Sequence, residues 1–370
     1  MNLQTLYSRP FYTKLAMVLV SLIALGYLAI LGKEVLSPLL FAMLLSILLL
    51  PLAGFFEHRF KFRRSAAAGV SVILMIFFIS GILYLVGKQI ADLAADWPQF
   101  KEQLTTSLNE FQHWISSQFH VNMVKQMAYV NTATTKLLTE STSVIGATVV
   151  SVSSMLLFLV FTMINTFFLL FYRRHIVTFL VKIFNEENEA IVYDIIAQVQ
   201  YIIRKYIVGL LLEMGIVAVV LCIVFWLLGI KYAMLLGIIT GLFNIIPYIG
   251  IFTALLISVL VTFATGAVAT KILLVVAAVV IMHLIDSNIL LPTIVASKVK
   301  INGLITLLGV IVGERIWGIP GMFLSIPVIA IAKIIFDRVE GLHPWGYLLG
   351  DEKDEKQPPP LKEEIIKGNV

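Results

Sequence analysis

Long apolar stretches, repeated along the chain, constrain the fold more than any other feature of the sequence. The first is Leu15–Leu31, and 59% of the residues are apolar while only 13% are charged. A soluble domain carries about one quarter charged residues, whereas a helix that crosses a membrane needs about 17–25 mainly apolar residues. Because one anchor would not account for so many stretches, the pattern predicts an all-α, polytopic α-helical membrane protein.

Clusters of basic residues predict how these stretches are oriented. They lie between the second and third stretches (His58–Arg64), after the fourth (Arg173 and Arg174) and after the last (Lys333 and Arg338). Since cytoplasmic loops carry the excess of Lys and Arg, we expect all three clusters to face the cytoplasm. Both termini are then cytoplasmic, and the formal net charge of +5 reports membrane topology and not binding to nucleic acid.

The N-terminal half contains four predicted spans and a polar insert. The spans are Leu15–Leu31, Leu36–Phe55, Ala67–Val86 and Val144–Phe171. The first has no small-residue cleavage site, so it is interpreted as a retained helix. The insert, residues 87–143, is predicted to be extracytoplasmic, and apolar residues from Trp97 to Ile115 recur at helical spacing. That apolar stripe packs either on the same subunit or on a neighbouring one.

A second amphipathic helix is predicted between the fourth span and the C-terminal half. Asn185 is its candidate N-cap, and acidic residues follow in the first turn, where the helix dipole favours them. Arg204 and Lys205 mark its return to the membrane surface, before the span Val208–Leu228. We therefore divide the chain into residues 1–86, 87–143, 144–206, a transport core at 207–340, and a charged, Pro-rich tail at 341–370 that is predicted to be disordered.

The C-terminal membrane segments are interrupted by polar residues, Gly and Pro. Tyr232–Thr265 is broken by Gly241–Gly250, where Gly lowers helix propensity and Pro removes a backbone donor. The span Ile272–Leu291 ends in a polar run. Ile301–Val312 reaches only about halfway across a bilayer before it meets the predicted break Gly313–Gly321. These pieces fit either full crossings or re-entrant hairpins.

The two broken regions carry a family resemblance. Gly241–Gly250, with Asn244, Pro247 and Tyr248, resembles the Asn-x-Ile-Pro-Tyr-x-Gly signature of the autoinducer-2 exporter family of bacterial membrane proteins. Ile285–Pro292, continued by Gly318–Met322, is similar to the C-terminal signature of that family. The opening pair of spans, from Pro38 to Arg64, matches as well, so the resemblance covers nearly all of the chain except the tail.

The resemblance implies about eight membrane segments, a homo-oligomer of five subunits, and export of a small solute across the bacterial inner membrane. Some relatives are linked instead to sodium–proton antiport, so the resemblance does not identify the solute. Two departures stand out. Asp286 occupies a position where the family commonly has Glu, and Glu314 and Arg315 occupy a stretch that is commonly small and Gly-rich.

Polar residues and helix-breaking prolines inside the predicted membrane segments are the candidates for a solute or ion pathway. They are Glu213, Asn244, Pro247, Tyr248, Asp286, Asn288, Pro292, Glu314 and Arg315. A carboxylate in hydrocarbon is unfavourable unless it is paired, hydrated or protonated, so Glu213 and Asp286 could each carry a proton or a cation. Each could equally make a structural hydrogen bond or salt bridge.

The other candidates also have structural alternatives. Pro247 could simply kink a helix, although the backbone groups freed at such a break are tolerated best where they line a cavity. Glu314 and Arg315 could cap a water-exposed loop or form a gate. His283 is consistent with an interhelical hydrogen bond, while Trp317 and Tyr248 could be interfacial anchors.

The sequence favours a transporter over an enzyme. It contains no metal-spaced His/Cys cluster, no nucleotide-binding Gly-rich loop and no Walker sequence, and the single cysteine, Cys222, cannot form an intrachain disulfide. We therefore expect no cofactor and no metal. The leading hypothesis is a secondary transporter or exporter of a small solute with a proton or sodium ion as coupling ion. A sodium–proton antiporter and a membrane scaffold or assembly factor are the alternatives.

Overall fold

The computed structural model describes residues 11–96, 153–184, 188–246, 249–265, 269–296 and 301–351, together with positions 98, 102 and 106. Within these ranges the regular structure is helical and includes no strand. This confirms the predicted all-α fold. Most of the insert 87–143, the candidate cap Asn185, the pathway candidates Pro247 and Tyr248, and residues 352–370 of the tail lie outside the described residues.

The helices follow the predicted spans along the chain. They are α1 (Phe11–Leu31), α2 (Lys33–Arg59), α3 (Arg64–Ala95), α4 (Ser153–Phe171), α5 (Arg173–Ile183), α6 (Glu189–Leu227), α7 (Ala233–Asn244), α8 (Ile249–Ala264), α9 (Ala269–Ile285) with a π-helical continuation (Asp286–Ala296), α10 (Gly303–Trp317), α11 (Ile319–Phe336) and α12 (His343–Leu349). In the described part of the chain, six are long and apolar enough to span a membrane: α2, α3, α4, α6, α9 with its continuation, and α11. The polytopic membrane architecture is thus confirmed.

Helix α6 differs from the expectation of two separate elements. The predicted amphipathic helix and the predicted span Val208–Leu228 form one continuous helix of 39 residues. No proline lies between Glu189 and Leu227, so nothing removes a backbone donor or forces a kink there. At 1.5 Å per residue the helix is about 58 Å long, which exceeds the ~30 Å hydrocarbon core. One part of α6 therefore lies outside the membrane.

The chain divides into two compact units, which are described separately. The first unit comprises Met1–Leu45, Arg173–Ile203 and Lys300–Val370, and the second comprises Ser46–Tyr172 and Arg204–Val299. The apolar core of the second unit is built mainly by α6, α7 and α9, through Val217, Leu221, Phe225, Leu235, Leu236, Val275 and Val279. These apolar side chains face inward from all three helices and pack against one another. Their packing fixes the positions of the polar residues on the same helices.

In the second unit, α7 and α8 form a tightly packed helical pair around the predicted break at Gly241–Gly250. A Cβ atom on Gly250 would lie 1.8 Å from the carbonyl oxygen of Phe243, and one on Gly241 would lie 2.7 Å from the carbonyl oxygen of Met214 in α6. Both approaches require a residue without a side chain. The glycines of the signature therefore let α7 contact both α8 and α6 at backbone distance.

In the first unit, α10 and α11 form a second closely packed pair, but the break is shorter than expected. Helix α10 continues to Trp317, and the chain reverses at Gly318, whose φ of +67° is left-handed and suits glycine. Gly313 and Gly321 meet at the crossing, where a Cβ on Gly321 would lie 1.9 Å from the Gly313 carbonyl oxygen. The Trp317 indole Nε1 donates to the Ala29 carbonyl at 2.8 Å, which joins α10 to α1.

Candidate functional site

Three polar side chains from different helices meet inside the second unit. Asn244, the last residue of α7, donates from its Nδ2 to Oε1 of Glu213 in α6 and to Oδ2 of Asp286, each at 3.0 Å. Glu213 is only 3% exposed and Asp286 only 5% exposed. We call these three residues the carboxylate–amide cluster. A single side-chain amide therefore connects three helices through two carboxyl groups.

The local sequence explains why each group lies there. Pro247 cannot donate a backbone hydrogen bond, and the residue that precedes a proline avoids the helical conformation. Helix α7 consequently ends at Asn244. Asp286 stands where α9 widens from α-helical to π-helical geometry, a change that occurs frequently at functional sites. Glu213 lies within α6 beside Leu210 and Val217, which are buried on the core-facing side.

The hydrogen bonding of the cluster is incomplete among the described residues. The second oxygen of each carboxyl group, Glu213 Oε2 and Asp286 Oδ1, is buried and has no hydrogen-bond partner there, and the same holds for Nδ1 of His283. A buried polar atom without a partner is unfavourable, and this is most severe for a carboxylate inside a membrane. The cluster therefore has unused capacity to accept a proton, a cation or a hydrogen-bond donor.

A narrow recess lies beside the cluster. Its polar lining comes from Thr240, Asn244, His283 and Asp286, and its apolar lining comes from side chains of α6, α8 and α9. The recess is too narrow to admit a water-sized sphere. The carboxyl groups are thus closed off from bulk water in this conformation, and a ligand could reach them only after the surrounding helices move apart.

Two other predicted pathway residues of the second unit, Asn288 and Pro292, do not join the cluster. Asn288 is exposed and donates to the Leu284 carbonyl at 2.8 Å, and Pro292 is exposed within the π-helical segment. Glu314 and Arg315 belong to the first unit. They lie on the last turn of α10 and not in a loop, and their side chains form an exposed ion pair at 3.6 Å. An exposed pair of this kind contributes little stability.

The geometry offers no sign of a metal centre in the part of the chain that the structure describes. No three His, Cys, Asp or Glu side chains come together there in an arrangement that could hold a metal ion. Two carboxyl groups and one amide, whose NH₂ group donates to both of them, form a smaller set of partners. Such a set suits a proton, a monovalent cation or a polar solute group better than a structural divalent metal.

A second polar group in this unit was not predicted from the sequence. The Lys231 ammonium lies 2.5 Å from Oδ2 of Asp96, and the Tyr232 hydroxyl donates to the same carboxylate. The Lys231 ammonium, helped by the Tyr232 hydroxyl, lowers the pKa of Asp96. The polar pair Lys231-Tyr232 between two apolar runs was a visible signal, but nothing in the sequence indicated Asp96 as its partner. This group joins the end of α3 to the α6–α7 turn.

Known proteins of one family are similar to most of this chain. The model of the AI-2E family transporters matches residues 19–341. YrrI of Bacillus subtilis (strain 168) is 27% identical over 317 residues, which cover 82% of this chain and 86% of YrrI. The AI-2 transport protein TqsA of Escherichia coli (strain K12) is 24% identical over 329 residues, which cover 88% of this chain and 92% of TqsA.

The family match contains the carboxylate–amide cluster and both closely packed helix pairs. It also agrees with the membrane-spanning helices that the structure describes. The family is one of membrane transporters and permeases, and not of enzymes. The chain is therefore a multi-pass membrane protein that belongs to the AI-2E transporter family.

Proposed function

We propose that this chain is a secondary transporter that exports a small solute across the bacterial inner membrane, and that the carboxylate–amide cluster controls its conformational change. The observation that carries the proposal is the burial of Glu213 and Asp286, each with one oxygen lacking a partner, around a single shared amide. Intramembrane carboxylates are unfavourable and generally mark substrate, ion or proton pathways. A purely structural cluster would gain more from complete hydrogen bonding.

The position of Asn244 supports a mechanical role for the cluster. Because α7 ends at this residue, the amide can change partners without breaking hydrogen bonds inside the helix. When a proton or cation binds to either carboxyl group, the charge of that group changes. Its oxygens then differ in their capacity to accept a hydrogen bond from Asn244. Helices α6, α7 and α9 would then separate or close together, which opens or closes the narrow recess between them. Alternating access requires such a change between two states.

The remaining parts of the proposal come from the sequence and the family. The absence of a nucleotide-binding motif in the sequence favours an ion gradient, carried by protons or sodium, or the gradient of the solute itself. TqsA is named as a transporter of AI-2, so AI-2 or a metabolite of similar size is the first solute to test. We further propose that the protein is a homo-oligomer of five subunits and that both termini are cytoplasmic. Residues 207–340 would form the transport core, which is surrounded by the lipid bilayer.

Everted vesicles with the protein in their membranes test this function. Uptake of AI-2 should appear only in vesicles that contain the protein, because export from cells becomes uptake when the membrane is everted. Asp286→Asn keeps the shape of the side chain but removes its charge. We expect the uptake rate to fall about ten-fold or more, since a hydrogen bond to a charged group contributes about 1.5–3 kcal/mol.

A matched variant controls for the loss of one negative charge. Asp351→Asn removes an exposed carboxylate in the first unit, outside residues 207–340, and it should leave uptake unchanged. Equal rates for wild type and Asp286→Asn would refute the role of the cluster. Absence of uptake for AI-2 and for a panel of metabolites, with correctly inserted protein, would refute solute export.

Sodium–proton antiport is the second candidate, and the two adjacent carboxyl groups are the observation that favours it. Sodium-dependent proton release from everted vesicles, measured without any organic solute, would support antiport. A membrane scaffold or assembly factor is the third candidate, and it would depend on residues 87–143, most of which lie outside the described residues. Purified protein that moves neither solute nor ion in liposomes but retains a stoichiometric partner would support that alternative.

A further inference from the structure

The short connection between α2 and α3 carries a concentration of positive charge. Its cationic residues are Arg59, Lys61, Arg63 and Arg64, and all four are exposed. Throughout the described ranges, none of the four takes part in an ion pair. Since α2 ends at Arg59 and α3 begins at Arg64, these charges lie within six consecutive residues and are available to an external anion.

Phenylalanine rings are clustered at the end of α2 and in the connection that follows it. The Phe56 ring stacks on the Phe62 ring with centroids 6.0 Å apart, and the Phe55 and Phe60 rings meet edge to face at 5.7 Å. Phe56 and Phe60 also lie 5.9 Å apart, which joins all four rings. Phe55, Phe60 and Phe62 nevertheless remain 53%, 55% and 41% exposed. The cluster therefore presents a large apolar surface beside the four cations.

The backbone holds rings and cations together. The amide groups of Phe60 and Phe62 both donate to the Phe56 carbonyl, at 3.2 and 3.3 Å, so the connection folds back onto the last turn of α2. Lys61 permits this reversal with a φ of +55°, a conformation that is uncommon for residues other than glycine. We call residues Phe55–Arg64 the aromatic–basic loop.

The location of this loop determines what can bind it. Both helices that it joins are long and apolar enough to span the membrane, so a connection this short must lie at the membrane surface. Exposed aromatic rings are unfavourable in water but favourable at the boundary between headgroups and acyl chains. Cations at the same level lie at the depth of lipid phosphates, which Arg binds well through paired hydrogen bonds.

We propose that the aromatic–basic loop is a binding site for an anionic phospholipid, with the headgroup phosphate held by Lys61, Arg63 and their basic neighbours and the upper acyl chains held by the phenylalanine rings. A soluble anion would use the cations but not the rings. This site is independent of solute transport. Clusters of basic residues next to a membrane span are known to favour anionic lipids, and each cation strengthens binding about five-fold.

Native mass spectrometry of the purified full chain in a neutral detergent tests the proposal. Phosphatidylglycerol and phosphatidylcholine with identical acyl chains are titrated separately, and the affinity of the first bound lipid is measured. Wild type should prefer phosphatidylglycerol. In Lys61→Gln/Arg63→Gln, phosphatidylglycerol should bind about 25-fold more weakly, since two cations are lost. Phosphatidylcholine, whose choline cation offsets the charge of its phosphate, should lose much less affinity.

Lys88→Gln is the matched control, because Lys88 is exposed on the same helix, α3, about 36 Å from Arg64 at 1.5 Å per residue. It should change the affinity for phosphatidylglycerol less than two-fold. Glycerol 3-phosphate in excess should not displace the lipid, because it carries the phosphate without acyl chains.

Three results would overturn the assignment. They are equal binding of the two lipids by wild type, an unchanged preference in the double variant, or displacement by glycerol 3-phosphate. Should the double variant fail to fold, wild type alone decides the question by salt dependence. High salt must weaken phosphatidylglycerol binding selectively, and binding that is insensitive to salt would refute the role of the cations.

Discussion

Replacing Asn244 with leucine tests whether the carboxylate–amide cluster holds α6, α7 and α9 together. Asn244 is the donor in both hydrogen bonds of the cluster. Leucine has a similar size but no donor, so Asn244→Leu removes both bonds while little cavity is created. The carboxyl groups of Glu213 and Asp286 are then left buried beside each other without the amide between them.

The expected loss of stability follows from the two bonds. A hydrogen bond to a charged group contributes about 1.5–3 kcal/mol, which sets an upper limit of about 6 kcal/mol for the pair. Interhelical hydrogen bonds in membranes average only about 0.6 kcal/mol, because the unfolded chain finds other partners there, which sets a lower limit of about 1.2 kcal/mol. We expect Asn244→Leu to lower the free energy of unfolding by about 2–4 kcal/mol, between these limits.

Reversible unfolding in mixed micelles, followed by far-ultraviolet circular dichroism during titration with dodecyl sulfate, measures this loss. Asn165→Leu is the matched control. The Asn165 amide is exposed and donates to the Phe161 carbonyl within its own helix, α4, at 2.8 Å. Among the described residues its amide has no hydrogen bond to a second helix, so its replacement should change the free energy of unfolding by less than about 0.5 kcal/mol.

A second background shows whether the loss comes from the cluster. In Glu213→Leu/Asp286→Leu both acceptors are gone, so adding Asn244→Leu should no longer lower stability and should remove an unpaired amide. Equal destabilisation by Asn244→Leu in both backgrounds would show that the two hydrogen bonds do not hold the helices together. The same follows if Asn244→Leu is no more destabilising than Asn165→Leu.

Two further predictions concern the helix pair of the first unit and the acid sensitivity of the second. Gly321→Ala should lower the free energy of unfolding by about 1–3 kcal/mol through overpacking, because the new methyl group would lie 1.9 Å from the Gly313 carbonyl oxygen. Gly81→Ala is the control, since a methyl group at Gly81 would have no neighbour within 4 Å, and it should be neutral or stabilising in the same assay. Lys231 lowers the pKa of Asp96 below its ordinary 3.8, so the stabilisation from ionised Asp96 is present above that value and is lost as pH falls through the lower, folded-state pKa. Unfolding curves of wild type and Asp96→Asn should therefore converge only in acid, and a difference independent of pH would contradict the assignment.

Most spans could be predicted from the sequence because their stabilisation is local. A helix such as α2 or α3 satisfies its own backbone hydrogen bonds and faces lipid with apolar side chains, so length and hydropathy suffice to find it. The two helix breaks in the C-terminal half were harder to predict from the sequence. The break after Asn244 was predicted from Gly and Pro, whereas the second break was predicted as Gly313–Gly321 and is a single reversal at Gly318.

The two helix boundaries that were misplaced share a cause. The charges of Glu314 and Arg315 suggested that these residues lie in a loop. They are helical instead, because α10 packs closely on α11 and the two charged side chains stay exposed. The charged residues Arg204 and Lys205 suggested a boundary within α6, but the helix continues through them. Charge alone does not end a helix, since a long side chain can reach water from a helical backbone.

What the sequence determined by itself is the membrane-spanning, all-α character of the chain and the identity of its unusual residues. Glu213 and Asp286 stand out individually because a carboxylate in an apolar run is rare, and Asn244 stands out because a helix break follows it. Their meeting around one amide was decided only by the tertiary structure, since Asn244 is 31 residues from one partner and 42 from the other. The periodicity of a helix describes its own faces but not which neighbour each face contacts. That choice depends on how the apolar side chains of α6, α7 and α9 and the glycines of α7 pack, because close packing of several helices at once fixes which polar groups can reach one another.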